Sequence, residues 1–264
     1  MHWFFFRYLA GSEGLIFDKY KINQRKTIIE DRVSEIGLPF VYINQVGGQD
    51  ELVFDGSSFA INSDQSIVSQ APAWKESFLE FDFLKDKGLS SSNPVRINQS
   101  NELTDIYSAM VLGLKDYVNK NNFPGIILGL SGGIDSALCA AIAVDALGSD
   151  RVSCFMLPFR YTSDQSFIDA KGCAKNLKIN LGSLNIEDSF NSLEDVLTPF
   201  FKGLPKDVTE ENLQSRIRGV LLMALSNKGG DMVVTTGNKS EVSVGYATLY
   251  GDMNGGYNPI KDIY

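Results

Sequence analysis

Six consecutive residues, Ser131-Gly132-Gly133-Ile134-Asp135-Ser136, hold the densest chemistry in this sequence. The glycine pair forces a tight turn and presents bare backbone N–H groups. Ser131 and Ser136 add hydroxyl donors. The apolar run Ile126 to Leu130 predicts a buried strand of a parallel sheet. Ala137 to Leu147, apolar and rich in alanine, predicts a buried helix that Gly148 stops. Strand, glycine turn and helix form an anion site, because free N–H groups and a helix N-terminus converge on phosphate oxygens. Asp135 would repel a phosphate unless a cation stood between them, which points to Mg²⁺. Gly-Lys-Ser/Thr is missing, so this is not the P-loop of kinases and GTPases. Gly-x-Gly-x-x-Gly is missing too, which removes the dinucleotide fingerprint.

The 264 residues suffice for one large domain or two small ones. With 44% apolar and 21% charged residues the chain has an ordinary globular composition. A net charge of −8, without a basic block, argues against nucleic acid as a partner. No apolar run reaches the length of a membrane span. Cys139, Cys154 and Cys173 lack metal-ligand spacing, and Cys139 and Cys154 are expected as core thiols of a cytoplasmic protein. The single histidine, His2, leaves no Ser–His–Asp or Cys–His engine.

Other elements must hold the turn in place. Ile22, Ile28, Ile29, Val33 and Ile36 mark an amphipathic helix ended by Gly37. Phe40 to Val46 predicts a strand, Gly47 to Asp50 a turn, and Leu52–Asp55, Ser58–Ile61 and Ser66–Ser69 further strands. Residues 85–100 are polar and turn-rich, so they are expected as an interdomain linker. A helix capped by Ser100 or Asn101 follows, with Leu103, Ile106, Tyr107, Met110, Val111, Leu114, Tyr117 and Val118 on its face. Val152 to Leu157 predicts a second parallel strand, Asp164 to Leu177 a helix, Ile179 to Ile186 a third strand and Ser189 to Phe201 a helix. Ligands of open α/β sheets lie beyond the C-terminal strand ends, so Pro158 to Ser163 should approach one. Leu213, Ile217, Val220, Leu221 and Ala224 form the stripe of a helix from Glu211. Met232 to Thr235 is the fourth strand, leading into Thr236-Gly237-Asn238-Lys239-Ser240-Glu241. Gly245 to Tyr264, rich in Gly, Tyr and Asn, is expected as a mobile active-site loop.

Ser-Gly-Gly-x-Asp-Ser resembles the pyrophosphate loop of ATP pyrophosphatases, which split ATP into AMP and pyrophosphate. Glu211-Asn212-Leu213-Gln214-Ser215-Arg216 and Thr236 to Glu241 are similar to segments of the glutamine-dependent NAD synthetase family. Gly37 to Phe59 looks like the last part of that family's nitrilase-like glutaminase domain. The resemblance implies an α/β fold, with an open, mostly parallel sheet and helices on both faces in the C-terminal part. The N-terminal part would be an incomplete nitrilase-like α/β/β/α layer. It implies a glutaminase fragment over 1–84 and an ATP-binding synthetase domain over 101–264. It further implies ATP contacts from Gly129, Leu130, Ser131, Gly132, Gly133, Ile134, Asp135, Ser136 and Thr236. Deamido-NAD contacts would come from Asn212, Arg216, Glu241 and Tyr246, and Mg²⁺ ligation from Asp135 and Glu241. The implied reaction is ATP-dependent amidation of deamido-NAD to NAD, with ammonia from glutamine, in a homo-oligomer.

Two departures qualify this. The family's glutaminase needs a Glu, a Lys and a nucleophilic Cys, yet no cysteine precedes Cys139, so no glutaminase activity is expected. Residues 1–16 do not follow the family, and both ends are expected to be truncated relative to it. The alternatives are a non-catalytic fragment of such an enzyme, or another pyrophosphate-loop ligase.

Overall fold

The computed structural model describes residues 17–18, 21–84, 87–95 and 101–264. The atypical residues 1–16 and parts of the expected linker, 85–86 and 96–100, lie outside them. The chain forms two compact units, divided between Gly113 and Leu114.

In the first unit α1 (Lys21–Ile36) precedes β1 (Phe40–Tyr42), β2 (Val46–Gln49), β3 (Leu52–Asp55), β4 (Phe59–Ile61), β5 (Ile67–Gln70), β6 (Asp82–Leu84) and β7 (Gly88–Ser90). Strand β4 sits between β1 and β5 in an antiparallel sheet, while β2–β3 and β6–β7 are hairpins. Ile29 and Val33 of α1 pack on Tyr42, Phe59 and Ile61. The buried helix face continues to Arg25, four residues earlier, whereas Ile28 and Ile36, expected on it, are exposed. Arg25 Nη2 donates to both oxygens of Asp55 at 2.8 Å, and Asn44 Nδ2 donates to the same carboxylate.

Three expectations fail here. The strand from Phe40 ends at Tyr42, because the Asn44 N–H turns to Ser58 Oγ and its amide to Asp55. Gly47 and Gly48 form no turn. They are buried in β2, and the hairpin reverses at Asp50-Glu51, where Asp50 takes φ 52°. The polar stretch after Lys87 includes a strand: β7 pairs with β6, and the Asn62 side chain bonds both backbone groups of Leu89.

Helix α2 (Glu102–Lys120) has Asn101 at its start, accepting from the Leu103 N–H. Leu103 is 74% exposed, off the expected face. Asp105 is buried instead and accepts from Trp74 Nε1 at 2.8 Å.

The second unit contains β8 (Ile126–Gly129), α3 (Ile134–Leu147), β9 (Val152–Met156), α4 (Asp164–Leu177), β10 (Asn180–Ser183), α5 (Glu187–Phe201), α6 (Val208–Gly229), β11 (Met232–Val233) and α7 (Lys239–Val244). Its sheet is parallel throughout, in the order β10-β9-β8-β11, and helices flank it. This is the expected α/β architecture. The apolar run before the glycine turn is fully buried from Ile126 to Leu128, as a strand covered on both faces must be. Gly148, at φ 84°, ends α3 with its N–H on Val144 O. Phe159, Ile186, Phe190 and Ile217 form a core cluster with Leu157, Leu213 and Leu221 packed on it. Val220 is 64% exposed and Ala224 is exposed as well, so the stripe on α6 is narrower than its sequence suggests. Helix α6 also begins before Glu211, because Asp207 and Glu210 close a capping box.

The tail is tied down at several points. Tyr257 bridges Val234 in parallel, the Gly256 N–H donates to Val233 O and the Lys239 N–H to Ile263 O, and Ile260 is buried.

Candidate active site

Strand β8 has β9 on one side and β11 on the other, so the chain reverses its direction of sheet growth around β8. In an open α/β sheet that reversal opens a crevice at the C-terminal strand ends. A cleft of about 640 Å³ lies there. Gly129, Leu130 and Ser131 line it at the end of β8, Phe155 to Pro158 at the end of β9, and Thr235 and Thr236 after β11. Thr162 lines it too, so the loop after β9 reaches the cleft as its position implies.

The glycine turn is shaped by space as well as by dihedral preference. Gly132 has φ +87°, and a Cβ there would stand 2.6 Å from Ser166 O. Gly133 caps α3 with extended dihedrals, so the helix begins at Ile134, inside the six-residue motif and not after it. Ile134, Asp135 and Ser136 are therefore its first turn. Ser136 is buried and donates to Gly133 O, and its hydroxyl lies 3.1 Å from Ser131 Oγ. Ser131 Oγ accepts from the Gly133 N–H at 3.2 Å. The turn's hydroxyls thus bond one another and the turn's own backbone. Ile134 is 79% exposed.

Asp135 Oδ1 accepts from Asn238 Nδ2 at 3.3 Å. Asn238 Oδ1 accepts from the Glu241 N–H, and Glu241 Oε2 accepts from the Asn238 N–H, a capping box for α7. One neutral amide thus links the two acidic residues expected to bind metal. Among the described residues no cluster of three His, Cys, Asp or Glu side chains could cage a metal. Two carboxylates suit Mg²⁺, which keeps waters and takes its other oxygens from phosphate.

Helix α6 forms another wall. Val208, Glu211, Asn212, Ser215, Arg218, Gly219 and Leu222 line the cleft at helical spacing. Loop 245–254 packs on this stripe. The Tyr246 hydroxyl donates to Glu211 Oε1, Thr248 Oγ1 to Asn212 Oδ1, and the Asp252 N–H to Ser215 Oγ. A Cβ on Gly219 would press within 3.0 Å of Gly251 O.

Of the residues expected to bind ligands, Gly129, Leu130, Ser131, Thr236, Asn212 and Tyr246 line the cleft. Gly132, Gly133, Ile134, Asp135, Ser136, Arg216 and Glu241 lie outside its lining. Arg216 is exposed, with Nε on Leu249 O at 3.2 Å. Arg218, two residues on and so on another side of the helix, is in the lining, and sequence reasoning passed over it. Its spacing from Glu211, Ser215 and Leu222 was the available signal.

The NAD synthase family model matches residues 106–264. A glutamine-dependent NAD(+) synthetase of Rhodobacter capsulatus is 48% identical over 97% of this chain and 48% of its own length. The structure of the glutamine-dependent NAD+ synthetase of Acinetobacter baumannii in complex with ADP superposes with TM-score 0.90 at 47% identity. That match covers 94% of this chain and 47% of the other. An NH3-dependent NAD synthetase of Campylobacter jejuni, in complex with a nitrate ion, has TM-score 0.57 at 29% identity, over 62% of this chain and 69% of its own. The chain spans about half the length of the curated relatives it matches. Since the family model covers more than half of the chain, including every segment that lines the cleft, the chain belongs to the NAD synthase family.

Proposed function

We propose that this chain carries out the ATP-dependent amidation of deamido-NAD to NAD through an adenylated nicotinate carboxylate. The carrying observation is the Ser131–Ser136 turn at the C-terminal end of β8, whose first residue, Ser131, lines a cleft that α6 also lines. A carboxylate does not react with ammonia at neutral pH until it has a leaving group, and adenylation provides one. The backbone N–H groups of the turn and the N-terminus of α3 suit a departing pyrophosphate. Ser131 and Ser136 would exchange their mutual hydrogen bond for phosphate oxygens. Asp135 and Glu241 would hold Mg²⁺, which supplies positive charge to the phosphates. Thr236, at the end of β11, would bond ATP. Asn212, Arg216, Glu241 and Tyr246 would orient deamido-NAD.

The same reading makes the first unit part of a glutaminase-like domain. It also makes the protein a cytoplasmic homo-oligomer with small-molecule substrates and no nucleic-acid partner. No helix of the described residues is long and apolar enough to cross a membrane.

The test supplies ATP, Mg²⁺ and deamido-NAD with either ammonium or glutamine and follows NAD. Ammonium-dependent formation is expected. Glutamine should give none, since hydrolysis needs an activated nucleophile and no cysteine precedes Cys139. No product with either donor, from a folded sample that binds ATP, would make this a nucleotide-binding chain without ligase activity.

A further inference from the structure

We infer that Arg218 is a phosphate-binding residue of the cleft. This rests on the proposed nucleotide-dependent activity and adds a contact that the turn does not provide. Arg218 lines the cleft from α6, and its Nε donates to Leu157 O at 3.0 Å. A guanidinium has five N–H donors in one plane, so this bond fixes the plane and leaves the rest of the fork for an anion.

Among the described residues no carboxylate answers the charge. Among the described residues no ion pair involves Arg218. The two acidic residues of the lining are engaged elsewhere: Glu211 accepts from the Tyr246 hydroxyl, and Asp252 from the Thr248 N–H. Burial pushes the Arg218 pKa down, with no neighbouring charge to offset it. An arginine stays protonated nonetheless, so the site holds a partly desolvated, uncompensated cation. A wall residue with that character suits an oxyanion that offers two oxygens to the planar fork.

The chemistry is that of a phosphoryl oxygen, and either ATP or the pyrophosphate of a dinucleotide could bring it. Arg218→Gln keeps a donor for Leu157 O and removes the charge. Arg218→Lys keeps the charge and removes the fork. Dissociation constants are measured by calorimetry for ATP, deamido-NAD and adenosine, with thermal melts of each protein. The expected result is a loss of about 10- to 100-fold for one phosphate-bearing ligand in the Gln variant. Lys should recover part of it, and adenosine affinity should not change. Loss confined to ATP assigns the contact to the nucleotide, and loss confined to deamido-NAD assigns it to the dinucleotide. Unchanged affinity for both in folded variants overturns the inference. So does an equal loss for adenosine, which would mark Arg218 as a strut between α6 and β9. Failure of the wild-type chain to bind ATP at all would instead overturn the proposed function.

Discussion

Arg25 in the first unit and Arg218 in the second are both withdrawn from water, and the chain answers them in opposite ways. Arg25 meets both oxygens of Asp55 at 2.8 Å, and its Nη1 reaches the Tyr42 hydroxyl at 3.4 Å. Burial opposes its charge, but the charge and hydrogen bonds of Asp55 outweigh burial and hold its pKa above the ordinary value. Arg218 meets one backbone carbonyl, and burial alone sets its pKa, downwards. A cation neutralised by its own fold is part of the fold. A cation left open on a cleft wall is free to take an anion. Reading buried charges by who answers them therefore separates framework from site more sharply than burial does.

The largest expected effect lies on the framework side. Asp55→Ala would leave Arg25 buried without a counter-charge, at about 3–5 kcal/mol. Denaturant unfolding followed through the tyrosines and tryptophans should show the first unit melting early. ATP affinity, measured below that transition, should be unchanged. A loss of only a few tenths of a kcal/mol would mean that water reaches Arg25 and that the two arginines are not opposites.

Next comes the glycine turn. Gly132→Ala puts an L-residue at φ +87° with its Cβ 2.6 Å from Ser166 O. The left-handed conformation costs about 1–2 kcal/mol before any clash, and the turn must shift away from α4. We expect ATP to bind at least about tenfold more weakly, with a melting point lowered far less than in Asp55→Ala. Equal ATP affinity would show that the turn's shape is not what the ligand reads.

What the sequence disclosed, and what it hid, follows the same division. The β8–turn–α3 segment was legible because its signals are local: an apolar run, two glycines and an alanine-rich stretch lie within about two dozen residues. That the sheet is parallel followed from the apolar run of β8 and from the resemblance. The glycine pair at Gly47-Gly48 misled, because glycine permits a turn without requiring one. Here it serves a buried strand, and Asp50 makes the reversal. Strand β7 was hidden because its support, the Asn62 side chain, is 27 residues away. At the site, Arg216 stood in a family-like string and drew attention, while Arg218 needed the helix phase of α6 to be noticed. Asn238, which links Asp135 to Glu241, is a contact across 103 residues that no local pattern carries.

The smallest expected effect concerns groups that burial keeps neutral, a third case beside the two arginines. Cys139 lies on α3 behind the turn, with Sγ 3.8 Å from Thr235 O. Burial, and secondarily the charge of Asp135, push its thiol up to about 12. Burial, then Cys173, push Cys154 in β9 up to about 12 as well. Cys173 on α4 is only half-buried and raised by burial. A thiol with pKa near 12 is thiolate in about one molecule in ten thousand at pH 8, and the thiolate is the nucleophile. Maleimide should therefore label Cys173 first, and Cys139 and Cys154 only as fast as the chain opens, with ATP slowing them further. The linkage runs the same way. A folded-state pKa above the unfolded value of 9.0 gives stability that is complete below pH 9 and is lost as pH rises towards 12. Rapid labelling of Cys139 in folded protein, with a rate that titrates near pH 9, would show water behind the turn.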